Sequence, residues 1–184
     1  MIDVRPTELD GVLEVLPVKR ADDRGFFSET YNAAHFHAAG IGATFVQDNH
    51  SYSQTRGVLR GLHYQTAPHA QDKLIRVVRG AIFDVAVDIR RSSPNFGKWV
   101  GVEISAEKWN QLLVPKGFAH GFLTLVADTE VVYKVSDIYS KADDRAIRYD
   151  DPAIGIDWPT LGGVYLLSAK DRIAPLMENA DLFD

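Results

Sequence analysis

Between residues 45 and 135 the chain runs through short apolar segments broken by Gly, Pro and Asp turns. The clearest segment spans 81–89, where Phe83, Val85, Val87 and Ile89 alternate with Asp84, Ala86 and Asp88. That is the two-residue period of a strand. The same reading predicts strands over 45–51, 58–65, 73–78, 99–104, 111–114, 118–126 and 130–135, with turns at 92–95, 105–107 and 115–117. Short strands at such close spacing predict a β-sandwich or barrel. Two earlier strands are expected at 12–18 and 26–31, flanking a polar turn at 19–25. The best helix signal is short: Asn32 can cap a helix over 33–39, and Gly40 can stop it. After Tyr139 the chain is polar and loop-like. Ser168 can cap a turn of helix over 169–172, and residues 152–184 read as an arm packed on the barrel.

Composition narrows the function classes. The 184 residues suit one domain, and 46% hydrophobic with 24% charged residues is enough for a full core. A net charge of -5 leaves no excess of Lys and Arg to neutralise a phosphate backbone, so no nucleic acid is expected as the main partner. A small anionic ligand needs only a local basic pocket. The absence of Cys excludes disulfides, thiolate catalysis and Cys-based zinc sites. The first six residues lack the apolar core of a signal peptide, and no apolar run is long enough to span a bilayer. The expectation is a cytoplasmic protein with no membrane partner.

The stretch from Gly57 to Gly80 carries the chemistry. Arg60, His63 and Lys73 interrupt two runs that otherwise read as buried strands. Charged groups are costly inside a sheet unless paired or used. Gly57 and His63 have the separation of the first metal motif of a cupin barrel, and Pro115-Lys116-Gly117-Phe118-Ala119-His120 matches the second. The segments therefore resemble a cupin. The ligand set is broken, because Gln65 stands where a second His belongs and no Glu follows near His69. Two imidazoles are too few for a tight site, so the expectation is a barrel that holds no metal.

Without metal, His63 is the natural general base. A base needs its other ring nitrogen held, and Asp84 and Asp171 are the candidates. An isolated His would read as a satisfied core residue, but a core has no use for Arg60 and Lys73 beside it. Tyr133 lies on one strand face with Val131 and Val135; the pattern alone makes it a core aromatic, and function would make it an acid facing the base. Arg24, Arg60, Lys73 and Lys170 could clamp a phosphate or diphosphate, although a charged turn such as that at Arg24 is ordinarily solvated. Gln47, Asp48 and Asn49 offer donors and acceptors suited to a sugar or base edge, or form a plain strand edge.

Taken together, six stretches resemble the dTDP-4-dehydrorhamnose 3,5-epimerase family. They are Arg24-Gly25-Phe26-Phe27-Ser28-Glu29, Gln47-Asp48-Asn49-His50-Ser51, Gly57-Val58-Leu59-Arg60-Gly61-Leu62-His63, the run from Lys73 to Gly80, the run from Pro115 to Phe122, and Leu167-Ser168-Ala169-Lys170-Asp171. They stand in family order over almost the whole chain. The resemblance implies an all-β cupin-type double-stranded β-helix (jelly roll) with short peripheral helices and a C-terminal arm. It implies a homodimer in which an N-terminal segment crosses to the partner, and no metal or organic cofactor. His63 would be the base, paired with Asp171; Tyr133 the proton donor; Lys73 the cation that stabilises an enolate. Arg24, Phe27, Glu29, Gln47, Asp48, Asn49, Arg60, His120, Asp144 and Lys170 would bind a dTDP-4-keto-6-deoxy sugar. The implied reaction inverts carbons 3 and 5 of dTDP-4-dehydro-6-deoxy-D-glucose; the alternative within the family is a mono-epimerase acting at one of them. Two departures bear on the site: Asp144 replaces a Glu common in relatives, and Asp72 replaces a Gly beside Lys73.

Overall fold

The computed structural model describes residues 2–184. In chain order the elements are β1 (Asp3–Pro6), β2 (Leu13–Leu16), β3 (Arg20–Asp22), β4 (Gly25–Phe27), α1 (Ala33–Ala38), β5 (Gln47–Ser53), β6 (Leu59–Gln65), β7 (Lys73–Arg79), β8 (Ala81–Asp88), β9 (Trp99–Ser105), β10 (Gln111–Val114), β11 (Phe118–Thr124), β12 (Thr129–Val135), β13 (Asp144–Ala146) and α2 (Ala169–Arg172), followed by a 3-10 turn at Met177–Asn179.

The strands form a six-stranded antiparallel sheet, β1-β2-β10-β7-β12-β5, and a five-stranded one, β13-β6-β11-β8-β9, with β3 and β4 as a separate hairpin. This is the all-β jelly roll that the family resemblance implies. Ile75, Val77, Leu112 and Val131 of the larger sheet meet Ile82, Ala86, Ile104 and Phe122 of the smaller one in a core between the layers.

Both outer faces are also covered. Helix α1, capped by Asn32 Oδ1 on the Ala34 and His35 amides, lays Phe36 with Ile41 against Val15, Leu74 and Leu113 of the larger sheet. The C-terminal arm places Ile154, Trp158 and Met177 over Leu59, Val85, Val87 and Leu123 of the smaller sheet. Strand β8 is therefore buried on both sides, which its alternating pattern alone does not show. Its two carboxylates are fully buried: Asp88 is bound by Arg90 and Ser93, and Asp84 by His120 through Oδ1.

Several boundaries differ from the sequence reading. The strand expected at 26–31 ends at Phe27, and the polar turn at 19–25 contains β3, so only its tip is a turn. Strands β1 and β13 were not foreseen. Both are short and lack a buried alternating face, and each exists because a neighbour, β2 or β6, offers a free edge to pair with.

Candidate active site

A cleft of about 360 Å³ opens between the two sheets. The smaller sheet contributes Arg60 and His63 from β6 and His120 from β11; the larger contributes Gln47, Asn49 and Ser51 from β5, Lys73 from β7 and Tyr133 from β12. Asp144, Ser168, Lys170 and Asp171 close it from the C-terminal side.

Close backbone packing sets the floor. The paired strands β6 and β11 approach closely where Gly61 meets Gly121; a Cβ on Gly61 would lie 2.6 Å from the Gly121 Cα, and its φ of +121° also requires glycine. The ladder shifts register at this point and pairs His63 with His120. Two imidazoles thereby stand side by side, each with its own carboxylate. Nε2 of His63 lies 2.6 Å from Asp171 Oδ1, and Nε2 of His120 lies 2.5 Å from Asp84 Oδ1. Of the two candidate partners for His63, the structure selects Asp171.

Asp171 is 2% exposed, on the one-turn helix that Ser168 caps; the Ser168 hydroxyl accepts from the Asp171 amide and donates to Asp171 Oδ2 at 2.8 Å. Burial pushes the Asp171 carboxyl up, but the bond and charge of His63, with Ser168 and Lys170, outweigh it and leave the pKa below its ordinary value. A carboxylate there favours the His63 tautomer with Nε2 protonated, and Nδ1 has no hydrogen-bond partner among the described residues.

Lys73 is buried, and its ammonium donates to the His63 carbonyl at 3.1 Å. Burial lowers its pKa from 10.5 to about 8, against the opposing pull of Asp84 and Asp144. Tyr133 is half-buried, its hydroxyl makes no hydrogen bond among the described residues, and burial raises its pKa against the opposing charge of Arg60. Arg60 donates to the Tyr52 carbonyl at 3.2 Å, while its Nε is buried without a partner; Ser51 Oγ and Asp84 Oδ2 share that condition. Unsatisfied buried polar atoms are rare in folded proteins; these three belong to residues in or bordering the cleft, while a fourth, Gln111 Oε1, lies away from it.

The other expected site residues divide. Gln47 donates to Asn49 Oδ1 at 2.9 Å and accepts from the Tyr139 amide, so both present themselves inward. Asp48, between them on β5, faces the other way and pairs with Lys134 at 2.7 Å. Arg24 sits on the β3–β4 turn paired with Asp22, Phe27 is 71% exposed, and Glu29 binds His35. None of these four lines the cleft of this chain. Asp144 does, held by Lys170 at 2.5 Å and the Tyr139 hydroxyl at 3.2 Å. The departure at Asp72 is structural: its carboxylate accepts from the Lys116 amide and the Ser136 hydroxyl, away from the Lys73 ammonium.

The sequence reading passed over Ser51, Gln71, Phe122, Tyr139 and Ser168 as cleft residues. Ser51 was accessible from strand period, since it shares a face with Gln47 and Asn49; Tyr139 lies in a loop with no such signal. Gln65, standing at the broken metal position, ties loops together: it donates to the His69 and Ile138 carbonyls and accepts from the Ser140 amide. Among the described residues no three His, Asp or Glu side chains gather as a metal site would need.

Known proteins match this chain from end to end. Residues 6–179 match the family model for dTDP-4-dehydrorhamnose 3,5-epimerase. The dTDP-4-dehydrorhamnose 3,5-epimerase of Shigella flexneri is 52% identical over 183 residues, 99% of each chain. A dTDP-4-dehydrorhamnose 3-epimerase of Streptomyces niveus is 38% identical over 178 residues, 96% of this chain and 84% of its own. Among solved structures, dTDP-6-deoxy-D-glucose-3,5-epimerase from Legionella pneumophila Philadelphia 1, in complex with dTDP-4-keto-L-rhamnose, superposes with a TM-score of 0.94 at 46% identity, covering 98% of this chain and 95% of that one. With the jelly roll, the paired His-Asp groups and matches of this extent, the chain belongs to the dTDP-4-dehydrorhamnose 3,5-epimerase family.

Proposed function

We propose that the chain inverts carbons 3 and 5 of dTDP-4-dehydro-6-deoxy-D-glucose, giving dTDP-4-dehydro-L-rhamnose for dTDP-L-rhamnose biosynthesis, without a cofactor. The observation that carries this reading is the placement of His63 and Tyr133 on opposing sheets across one cleft. The ketone at carbon 4 acidifies the hydrogens on carbons 3 and 5. His63, held through Nε2 by Asp171, removes one through Nδ1. The Lys73 ammonium stabilises the negative charge that develops on the carbon-4 oxygen. Tyr133 returns a proton from the other sheet, so the centre is inverted instead of restored.

Arg60 and Lys170 bind the anionic part of the substrate, and Gln47, Asn49, His120 and Asp144 hold its polar groups. Strand period keeps Asp48 out of this set. Arg24, Phe27 and Glu29 act in the cleft of a partner subunit, in a homodimer whose N-terminal segments cross. Each chain, residues 1–184, works as one domain, in the cytoplasm; no helix among the described residues is long and apolar enough to cross a membrane.

A coupled assay tests the reading. With the 4,6-dehydratase product, a 4-keto reductase and NADPH, the expected product carries L-rhamnose. A 6-deoxy sugar inverted at one carbon would replace this reading with the mono-epimerase, the activity named for the Streptomyces niveus relative.

A further inference from the structure

Lys73 differs from the other lysines of this chain. Lys98, Lys108, Lys134 and Lys170 are engaged by polar or acidic side chains, and Lys19 lies over the rings of Phe26 and Trp109. Lys73 forms no ion pair among the described residues; its side chain is buried and its hydrogen bond goes to a carbonyl. The carboxylates whose charge reaches it pair with other side chains, Asp84 through Oδ1 with His120 and Asp144 with Lys170. Yet the residue lines a cleft roomy enough for a small ligand.

An amine so placed is a nucleophile in waiting, because burial favours its neutral form. Burial is the largest influence on its pKa, which falls to about 8 despite the charges of Asp84 and Asp144. The unpartnered Nε of Arg60 and the ammonium of Lys170 lie in or beside the same cleft and attract an anion.

We propose that Lys73 is a modification site at which small aldehydes carrying a phosphate group form a reversible imine. The neutral Nζ adds to the aldehyde carbon, and the carbonyl electron pair moves to oxygen, which takes up a proton. The nitrogen gives up its protons and the oxygen leaves as water. Amine and aldehyde thus become imine and water, with nothing oxidised or reduced. The adduct fills the cleft and ties up the amine, so turnover stops until the imine hydrolyses. The idea goes beyond the epimerase reading, and labelling is measured without turnover.

The probe is pyridoxal 5'-phosphate on the intact protein near pH 8, followed by borohydride reduction and peptide mapping. Lys73 is expected to be labelled about tenfold faster than the exposed Lys116 and Lys141, and about tenfold faster than by pyridoxal without the phosphate. Free dTDP should suppress the labelling. Label confined to surface lysines or to Lys170 overturns the site. Equal labelling of Lys73 by pyridoxal overturns the role of the phosphate.

Discussion

Asp171 holds Nε2 of His63 at 2.6 Å from 108 residues further along the chain. The contact exists because β6 and α2 face each other across the mouth of the cleft. It leaves a single ring nitrogen for chemistry. Replacing His63 by Ala should cost about 10³-fold or more in kcat with dTDP binding largely kept. Asp171→Asn should cost about 10²- to 10⁴-fold, since the wrong tautomer is then favoured. Steady-state kinetics with a dTDP binding assay reads both, and near wild-type turnover in either variant would remove the base from its role.

Tyr133 stands on the sheet opposite His63, so the two proton transfers should separate. In Tyr133→Phe, His63 still removes and returns hydrogen on its own face, while inversion falls about 10²-fold. Deuterium appearing in recovered substrate faster than product forms is the expected signature.

Lys73 trades stability for function. Its pKa falls from 10.5 unfolded to about 8 folded, so between those values the unfolded chain binds more protons and stability rises with pH. Below pH 8 the buried charge costs on the order of 3 kcal/mol. Lys73→Met should therefore raise Tm while losing the enolate's counter-charge and most of the activity. In the wild type, kcat/KM should fall above about pH 8 as the ammonium is lost. A Lys73→Met protein less stable than wild type would contradict this account.

The close Gly61–Gly121 contact lies where the ladder shifts register beside the His63–His120 pair. Gly61→Ala forces a side chain onto neighbouring backbone at a positive φ, at an expected cost of about 2–4 kcal/mol in chemical denaturation.

The hairpin residue Arg24 lies outside the cleft of its own chain. If it serves a partner, inactive Arg24→Ala and inactive His63→Ala proteins, mixed and refolded, should recover about a quarter of wild-type activity, because mixed dimers hold one intact site. No recovery would place Arg24 outside the partner's site.

Much of this site was legible in the sequence because strands obey a simple period. Arg60, His63 and Lys73 stand out as charges in apolar runs, whereas the strand pattern of Tyr133 reads as core and only the family resemblance points to it. Long-range choices were not legible. The residues alone leave Asp84 and Asp171 as equal candidates for His63; the family resemblance points to Asp171, and the arm's path places it there while β8 gives Asp84 to His120. Asp48 reads as part of a polar run with Gln47 and Asn49, but alternation turns it to the opposite face, where it pairs with Lys134. Strands β1 and β13 owe their existence to a neighbour's edge, which no local pattern reports.

The most direct test of the two-sided site is turnover of dTDP-4-dehydro-6-deoxy-D-glucose in heavy water, with the product analysed carbon by carbon. Deuterium at both carbon 3 and carbon 5 of the inverted sugar is the predicted result. Deuterium at only one of them, or inversion without solvent deuterium, would contradict it.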